Sequence, residues 1–421
     1  MCCLQEGYVA KDPGSELYGD IHFYDYAADQ WDASVFRVPR MASEYGIEAW
    51  CNNESLASVF APEDFSTTSK MVAHRQHHGL GNIQMAAEVG MHMKRPTSVD
   101  EAQKFADFIY LTQINQAMSM RAQTEHYRRN QATLMPDGRG LTMGALYWQL
   151  NDIWQAPTWA SIDYEGRWKM LHYFAKKFFT PTLVSPYLTK KVPFNTTFVD
   201  VFVVVDQIPS VEKRDVTTGG LSFAPITHVQ DLLKTNVATA DVFKIAAGVN
   251  KATSGNLVIT MYTYANFTPL KTWNTPYTLT TTAESVYTRS SNELIKEANC
   301  PSLNDCFLTF ETTSGTSPRV TTSSSWLLLT YPKDSNLQMA NVKVTSVVQH
   351  SADPREFEVV VSAARPALFV WLSSGGVLGM FSDNGFLMHK SEAKVTFSSK
   401  NDVTVQHLTS VIAATSLNDI K

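Results

Sequence analysis

Phe36-Arg37-Val38-Pro39-Arg40-Met41-Ala42-Ser43-Glu44-Tyr45-Gly46 is the stretch on which the reading of this chain turns. A short extended run ends in one carboxylate, Glu44, with a glycine two residues on. A barrel strand that delivers a catalytic acid to the mouth of a pocket is written this way. So is an ordinary strand end in which Glu44 pairs with Arg40. The flanking sequence has to decide.

Working outward, Gly19 to Tyr26 reads as a strand running into a loop. Thr67 to Met93 reads as helical in parts, broken at Gly79-Leu80-Gly81. Asp100 to Asn130 is the clearest helix, with Phe105, Phe108, Ile109, Leu111, Ile114 and Met118 mostly at three- and four-residue steps. Pro136-Asp137-Gly138 is a turn. Leu141 to Trp154 then reads as a buried strand entering a polar and aromatic loop, and Trp168 to Phe179 as a helix stopped by Pro181. Alternating strand and helix implies part of a parallel α/β fold. Two βα units and a third strand make about half of an eight-fold (β/α)8 TIM barrel.

From about Thr182 the texture changes to Thr, Ser and Val at period two. Phe198 to Val205, Leu257 to Tyr264 and Phe307 to Glu311 are such runs. A second unit, from about Leu337 to Lys421, has strands at Val342–Val348, Glu356–Ala363, Leu368–Leu372 and Ala393–Phe397. Ser382-Asp383-Asn384-Gly385 is a turn between Phe381 and Phe386. The expected division is an α/β unit over 1–183 and two β-sandwiches over 184–336 and 337–421.

At 421 residues the chain is long enough for such a division. A formal charge of −5 and the lack of any long Lys/Arg run argue against nucleic acid and anionic membrane as partners. No apolar run approaches the ~18 residues of a membrane span. Cys300 and Cys306 are spaced to close a small loop, as a disulfide or as two buried thiols. Sequons stand at Asn53, Asn195 and Asn266, which with that disulfide point to the secretory pathway. Met1 to Gly7 has neither a basic nor an apolar region and is not a signal peptide. The expectation is a cytosolic protein or a chain without its natural start.

Beyond Glu44, the candidate chemistry lies at the end of the Leu141 run. Trp148, Trp154 and Trp159 offer flat apolar faces, and Asn151 and Asp152 offer an amide and a carboxylate. Rings that stack on a pyranose beside groups that bind its hydroxyls make a sugar pocket. His74, His77 and His78 lack the two-histidine spacing with an intervening Glu of a zinc helix, so no metal is expected. Asn53-Glu54 imitates a glycosidase Asn-Glu pair, but reads as a coincidence in a surface loop.

Several of these stretches together resemble a known family. They are Gly19-Asp20-Ile21-His22-Phe23-Tyr24-Asp25-Tyr26, Ala42-Ser43-Glu44-Tyr45-Gly46, His74-Arg75-Gln76-His77-His78, Tyr127-Arg128-Arg129, Met143 to Pro157, Trp168 to Ala175, Phe369 to Leu372 and Phe381 to Leu387. They are similar to the lysosomal β-mannosidases of glycoside hydrolase family 2. The resemblance spans nearly the whole chain and is tightest from Gly19 to Phe179.

The resemblance implies the C-terminal half of a (β/α)8 barrel, followed by two immunoglobulin-like or CBM-like β-sandwiches. It implies Glu44 as the nucleophile of a retaining reaction on β-mannoside oligosaccharides, with Trp148 lining the mannose subsite. His22 and Asp152 match pocket positions more loosely. No cofactor is implied, because two carboxylates suffice. It also implies a second carboxylate, in an Asn-Glu pair well upstream of the nucleophile. The 43 residues before Glu44 contain Glu6 and Glu16 but no Asn-Glu. The expectation is therefore that the acid/base, the first barrel half, two N-terminal domains and a signal peptide lie outside this chain. The full-length protein is expected to be lysosomal or secreted. Glu48-Ala49 stands where the family commonly has Gln-Ser, and Glu48 is expected to face solvent. The rival expectations are another family 2 β-glycosidase and a non-catalytic carbohydrate-binding protein.

Overall fold

The computed structural model describes residues 11–191, 196–206, 253–314, 320–350 and 352–420. Asn195 lies outside the described residues. The Glu44 stretch is a parallel-paired centre. His22–Phe23 (β1), Met41–Ala42 (β2), Glu44–Tyr45 (β3) and Gly144–Ala145 (β4) are two-residue strands. β3 pairs in parallel with β1, His22 opposite Glu44, and β2 pairs in parallel with β4, Met41 opposite Gly144. Parallel strands need long crossovers. The one before β4 contains helices α1 (Asn53–Leu56), α2 (Lys70–Arg75), α3 (Gly81–His92) and α4 (Glu101–Arg129).

Helix α4 falls where its periodicity places it. Asp100 caps it, with Oδ1 accepting from the amides of Ala102 at 2.9 Å and Gln103 at 3.3 Å. The break between α2 and α3 falls on Leu80, which takes φ +65° between two glycines. Among the described residues no helix is long and apolar enough to cross a membrane.

The Leu141 run departs from expectation. Only Gly144–Ala145 is strand, and Met143, Leu146, Leu150 and Ile153 are exposed. The segment still runs beside the Glu44 stretch, for Met143 donates to the Arg40 carbonyl, Leu146 to Ala42 and Trp148 to Tyr45, at 2.8–2.9 Å. These bonds fix the backbone while leaving the apolar side chains on an open face, a distinction that an apolar run in sequence does not encode. Asn53-Glu54 is likewise no loop. It begins the helical turn α1, and Glu54 accepts a hydrogen bond from Ser373.

Helix α5 (Met170–Phe178) leads into an all-antiparallel region. Thr182–Lys191 (β5), Thr196–Val205 (β6) and Ala283–Ser290 form one sheet. Val320–Leu328, Cys306–Ser314, Thr253–Thr263 and Pro269–Leu279 form a four-stranded one. The two meet on one apolar cluster, with Val184, Val199 and Val201 from the first and Leu257, Ile259, Leu308 and Phe310 from the second. Cys300 and Cys306 are joined as a disulfide, with Cα atoms 6.5 Å apart.

Beyond residue 340 the pattern repeats. Lys343–Gln349, Glu356–Ser362, Glu392–Ser399 and Gly379–Phe381 form a four-stranded sheet, and Phe386–Met388, Ala367–Ser373 and Ala413–Thr415 a three-stranded one. Phe357 lies opposite Phe397 and Val359 opposite Val395, so alternate residues of each strand enter the core. The Ser382–Gly385 turn carries the chain from one sheet to the other, and Gly385 takes φ +67°. A Cβ there would stand 2.6 Å from Cγ of Met170, the first residue of α5. Gly385→Ala therefore combines a left-handed backbone with a clash. Urea denaturation should show it at least about 1 kcal/mol less stable than the parent chain. An unchanged midpoint would refute this assignment of the turn.

Candidate active site

The parallel register sets His22 beside Glu44 on neighbouring strands. Nδ1 of His22 lies 3.8 Å from Glu44 Oε2, and its Nε2 lies 3.6 Å from Asp20 Oδ2. Asp20 in turn pins the residue before Glu44. The Ser43 amide donates to Asp20 Oδ1 at 2.9 Å, and the Ser43 hydroxyl donates to the other oxygen. Across the carboxylate, the Tyr24 hydroxyl donates to Glu44 Oε1 at 2.9 Å. Burial, and then the hydrogen bond and charge of Glu44, push the Tyr24 phenol far above its usual range. Tyr24 therefore remains a donor at every physiological pH.

An aromatic wall stands behind this carboxylate. Tyr24 meets Trp159 edge-on at 6.2 Å, and Trp159 Nε1 donates to the Tyr26 hydroxyl at 2.9 Å. His78 closes the group, 4.8 Å from Tyr26 and 5.5 Å from Trp159 between ring centroids. Gly46 makes the approach possible. A Cβ there would stand 2.5 Å from the Trp148 carbonyl oxygen and 2.8 Å from Trp159 Cδ1. Tyr24 and Tyr26 had not stood out singly. A signal for them is the period-two recurrence of His22, Tyr24 and Tyr26 in the sequence.

The other candidates divide. Trp148 is 43% exposed, held next to the Glu44 strand by the hydrogen bond from its amide to the Tyr45 carbonyl. Asn151 is exposed, and its Nδ2 donates to the Asp152 carbonyl at 3.1 Å. Asp152 is only 4% exposed. It accepts from the Thr158 hydroxyl, and burial raises its carboxyl to about 6. The structure thus sets Asp152 inward rather than on the open face. Trp154 belongs to a separate stack, with His77 at 4.6 Å and the Arg75 guanidinium at 4.9 Å. Asn53 and Asn266 are exposed. Among the described residues no group of three or more His, Cys, Asp or Glu side chains is arranged to hold a metal ion.

Glu48 is the clear correction. Expected in solvent, it is 3% exposed. Its Oε2 accepts from Gln76 Nε2 at 3.1 Å and lies 3.7 Å from His78 Nδ1. Burial raises its carboxyl to about 7 against the smaller opposing effects of the Gln76 bond and Lys169. Buried Glu88 is raised to about 8, by burial and then by Glu48.

Residues 337–420 match a family model described as an Ig-fold domain of mannosidases. The chain is 34% identical to a beta-mannosidase of Rattus norvegicus over 419 residues, covering 99% of this chain and 42% of that protein. It is 35% identical to a beta-mannosidase of Capra hircus, covering 98% and 41%. Among solved structures, a beta-D-mannosidase of Dictyoglomus thermophilum shares the fold at TM-score 0.67 and 17% identity, over 96% of this chain and 41% of that one. An Amycolatopsis orientalis exo-chitosanase does so at TM-score 0.57 and 14% identity, over 94% and 44%. The chain is a homologue of the family 2 β-mannosidases and fits a C-terminal portion of one. It spans about two fifths of the length of the curated relatives it matches.

The raised Glu48 gives a pH test. Its folded value of about 7 lies above the ~4.5 of an unfolded glutamate, so the folded chain binds the proton more tightly. Stability is then highest below the unfolded value and falls as pH rises from about 4.5 to 7, where the unfolded chain ionises first. Glu88 acts with the same sign. Glu48→Gln should flatten this fall, measured as urea midpoints at pH 5 and pH 7.5. An equal fall in parent and variant would count against a buried, proton-binding Glu48.

Proposed function

We propose that this chain carries the nucleophile of a retaining β-mannosidase that releases terminal, non-reducing β-D-mannose from glycoprotein-derived oligosaccharides. The observation that supports the reading best is the Glu44 carboxylate at a parallel strand end, with the Tyr24 hydroxyl on one oxygen and His22 beside the other. In the proposed reaction a Glu44 oxygen attacks the anomeric carbon while the bond from that carbon to the leaving oxygen breaks. A carboxylic acid about 5 Å away gives the leaving oxygen its proton. The same group then takes a proton from water, which attacks the anomeric carbon and frees Glu44. Tyr24 orients the nucleophile, and His22 stands against its other oxygen. The exposed Trp148 ring offers a face for the mannose, and Asn151 offers an amide on the same exposed segment. Asp152 and Trp154, being buried and stacked elsewhere, are given supporting roles.

The acid/base is assigned to no residue of this chain, so we assign no turnover to the chain by itself. In the same reading residues 1–183 are the C-terminal half of a (β/α)8 barrel, 184–336 a β-sandwich and 337–421 an immunoglobulin-like sandwich. The disulfide and the exposed sequons at Asn53 and Asn266 support a lysosomal or secreted protein.

The test uses chromogenic glycosides. The purified 421-residue chain should leave p-nitrophenyl β-D-mannoside intact, and turnover by it would overturn the assignment of the acid/base elsewhere. In a protein that carries both carboxylates, Glu44→Gln should lower mannoside turnover by at least ~10³-fold, the scale expected when a covalent nucleophile is lost. Preference for a glucuronide or galactoside over the mannoside would support a different sugar. A Glu44→Gln variant that leaves sugar affinity unchanged in a protein with no turnover would support a binding protein.

A further inference from the structure

A cleft of about 220 Å³ opens where helices α1 and α4 face the Ala367–Ser373 strand of the C-terminal sandwich. Neither Glu44 nor its contacts Tyr24 and His22 line it, and nothing in the proposed reaction uses it. Junctions between packed units are common places for small-molecule sites. The charged side chains on this wall are Glu54 and Asp107, and no Lys, Arg or His among the described residues joins them. Asp107 is 6% exposed. Its Oδ1 accepts from Gln103 Nε2 at 2.7 Å, and Glu54 Oε1 accepts from the Ser373 hydroxyl. The second oxygen of each acid takes no donor from the described residues, and neither oxygen is sealed. Asp107, enclosed nearly everywhere else, thus presents Oδ2 to the cleft it lines.

Burial raises the Asp107 carboxyl against the smaller opposing effect of the Gln103 bond, and no cation is among the causes. A desolvated carboxylate with a free oxygen and no counterion is costly, and a charged donor offsets both deficits. Ionised carboxylates accept and do not donate, so the wall selects a donor over an anion. Two acids with no base select a positive donor over a neutral hydroxyl. A metal ion is the poorer fit, because no third His, Cys, Asp or Glu is arranged with them and Ile109, Tyr110 and Ile420 make part of the wall apolar. The Trp371 ring on the same wall offers a face to a cation or to its carbon frame. The small volume admits a compact molecule or the end of a long one. We propose that this cleft binds an organic primary ammonium ion, which donates an N–H to Asp107 Oδ2 within the added field of Glu54 and lays its carbon frame against Trp371.

The test is calorimetric titration and thermal unfolding of the purified chain at about pH 7 with putrescine, D-glucosamine, glucose and potassium chloride, at matched ionic strength. Saturable heat and a rise in Tm with at least one of the two amines, and with neither glucose nor the salt, is the expected result. Putrescine and glucosamine separate an alkylamine from an amino sugar. Asp107→Asn keeps an acceptor for Gln103 and removes the charge. It should weaken binding of the amine by at least ~10-fold, the scale of one hydrogen bond to a charged group. Binding of neither amine, an equal response to glucose or potassium chloride, or undiminished affinity in a folded Asp107→Asn would each overturn the proposal. Titration of the unaltered chain decides the matter even where the variant fails to fold.

Discussion

Helix α4 buries polar side chains among its apolar ones, and the rest of the molecule depends on how those polar groups are met. Gln113 donates to the Trp50 carbonyl at 3.2 Å and to Asn52 at 3.1 Å, and accepts from the Met170 amide at 3.0 Å. Gln116 donates to the Ile47 carbonyl at 2.8 Å, and Thr112 accepts from the Trp50 amide at 3.2 Å. The chain leaving Glu44 thus has backbone groups satisfied by helix side chains as well as by a neighbouring strand. A buried polar group left unmet costs about 1–3 kcal/mol, so these bonds hold the register that sets Glu44 at its strand end. Further along the helix, Arg121 donates to the Trp326 carbonyl, and Arg128 donates to the Phe178 and Thr180 carbonyls. One helix therefore ties the acid-bearing region to both α5 and the first antiparallel sheets.

The candidate site shows how that rigidity reaches chemistry. Asp20 holds Ser43 and stands beside His22, so the strand before Glu44 and the strand opposite it are joined at one carboxylate. Gly46 lets the Trp148 backbone and Trp159 close over the next turn. Tyr24 then meets Glu44 from a ring whose far edge rests on Trp159. Each contact is weak alone, but together they leave the carboxylate few orientations. In the reaction proposed for Glu44, restriction of this kind would lower the cost of reaching an attacking geometry.

Much of this was legible in the chain. Helix α4 announces itself by apolar spacing and by Asp100, and the late strands by period two, because each buries one face and pattern records faces. What pattern cannot record is depth. Glu48 looked like a solvated acid because its burial is created by Gln76 and His78, nearly thirty residues away. The Leu141 run looked buried because it is apolar, while its hydrogen bonds turn Met143 and Leu146 outward. The polar residues of α4 were similarly invisible, since an inward glutamine and a solvent-facing one are the same letter. Trp148 and Trp154 both read as sugar-facing rings, and only the fold separates an open indole from one already covered by Arg75 and His77.

The same limit explains why Glu44 and Glu48 come to different ends. They are four residues apart in one segment and share one side-chain chemistry. Glu44 stands part-exposed at a strand end with a phenol hydroxyl and an imidazole for neighbours. Glu48 is closed in, and below about pH 7 it holds its proton. A neutral Glu48 adds no second negative charge behind the strand, and its Gln76 and His78 contacts brace the wall that Tyr26 and Trp159 form. Environment, not residue type, thus leaves one carboxylate reachable from the surface and encloses the other.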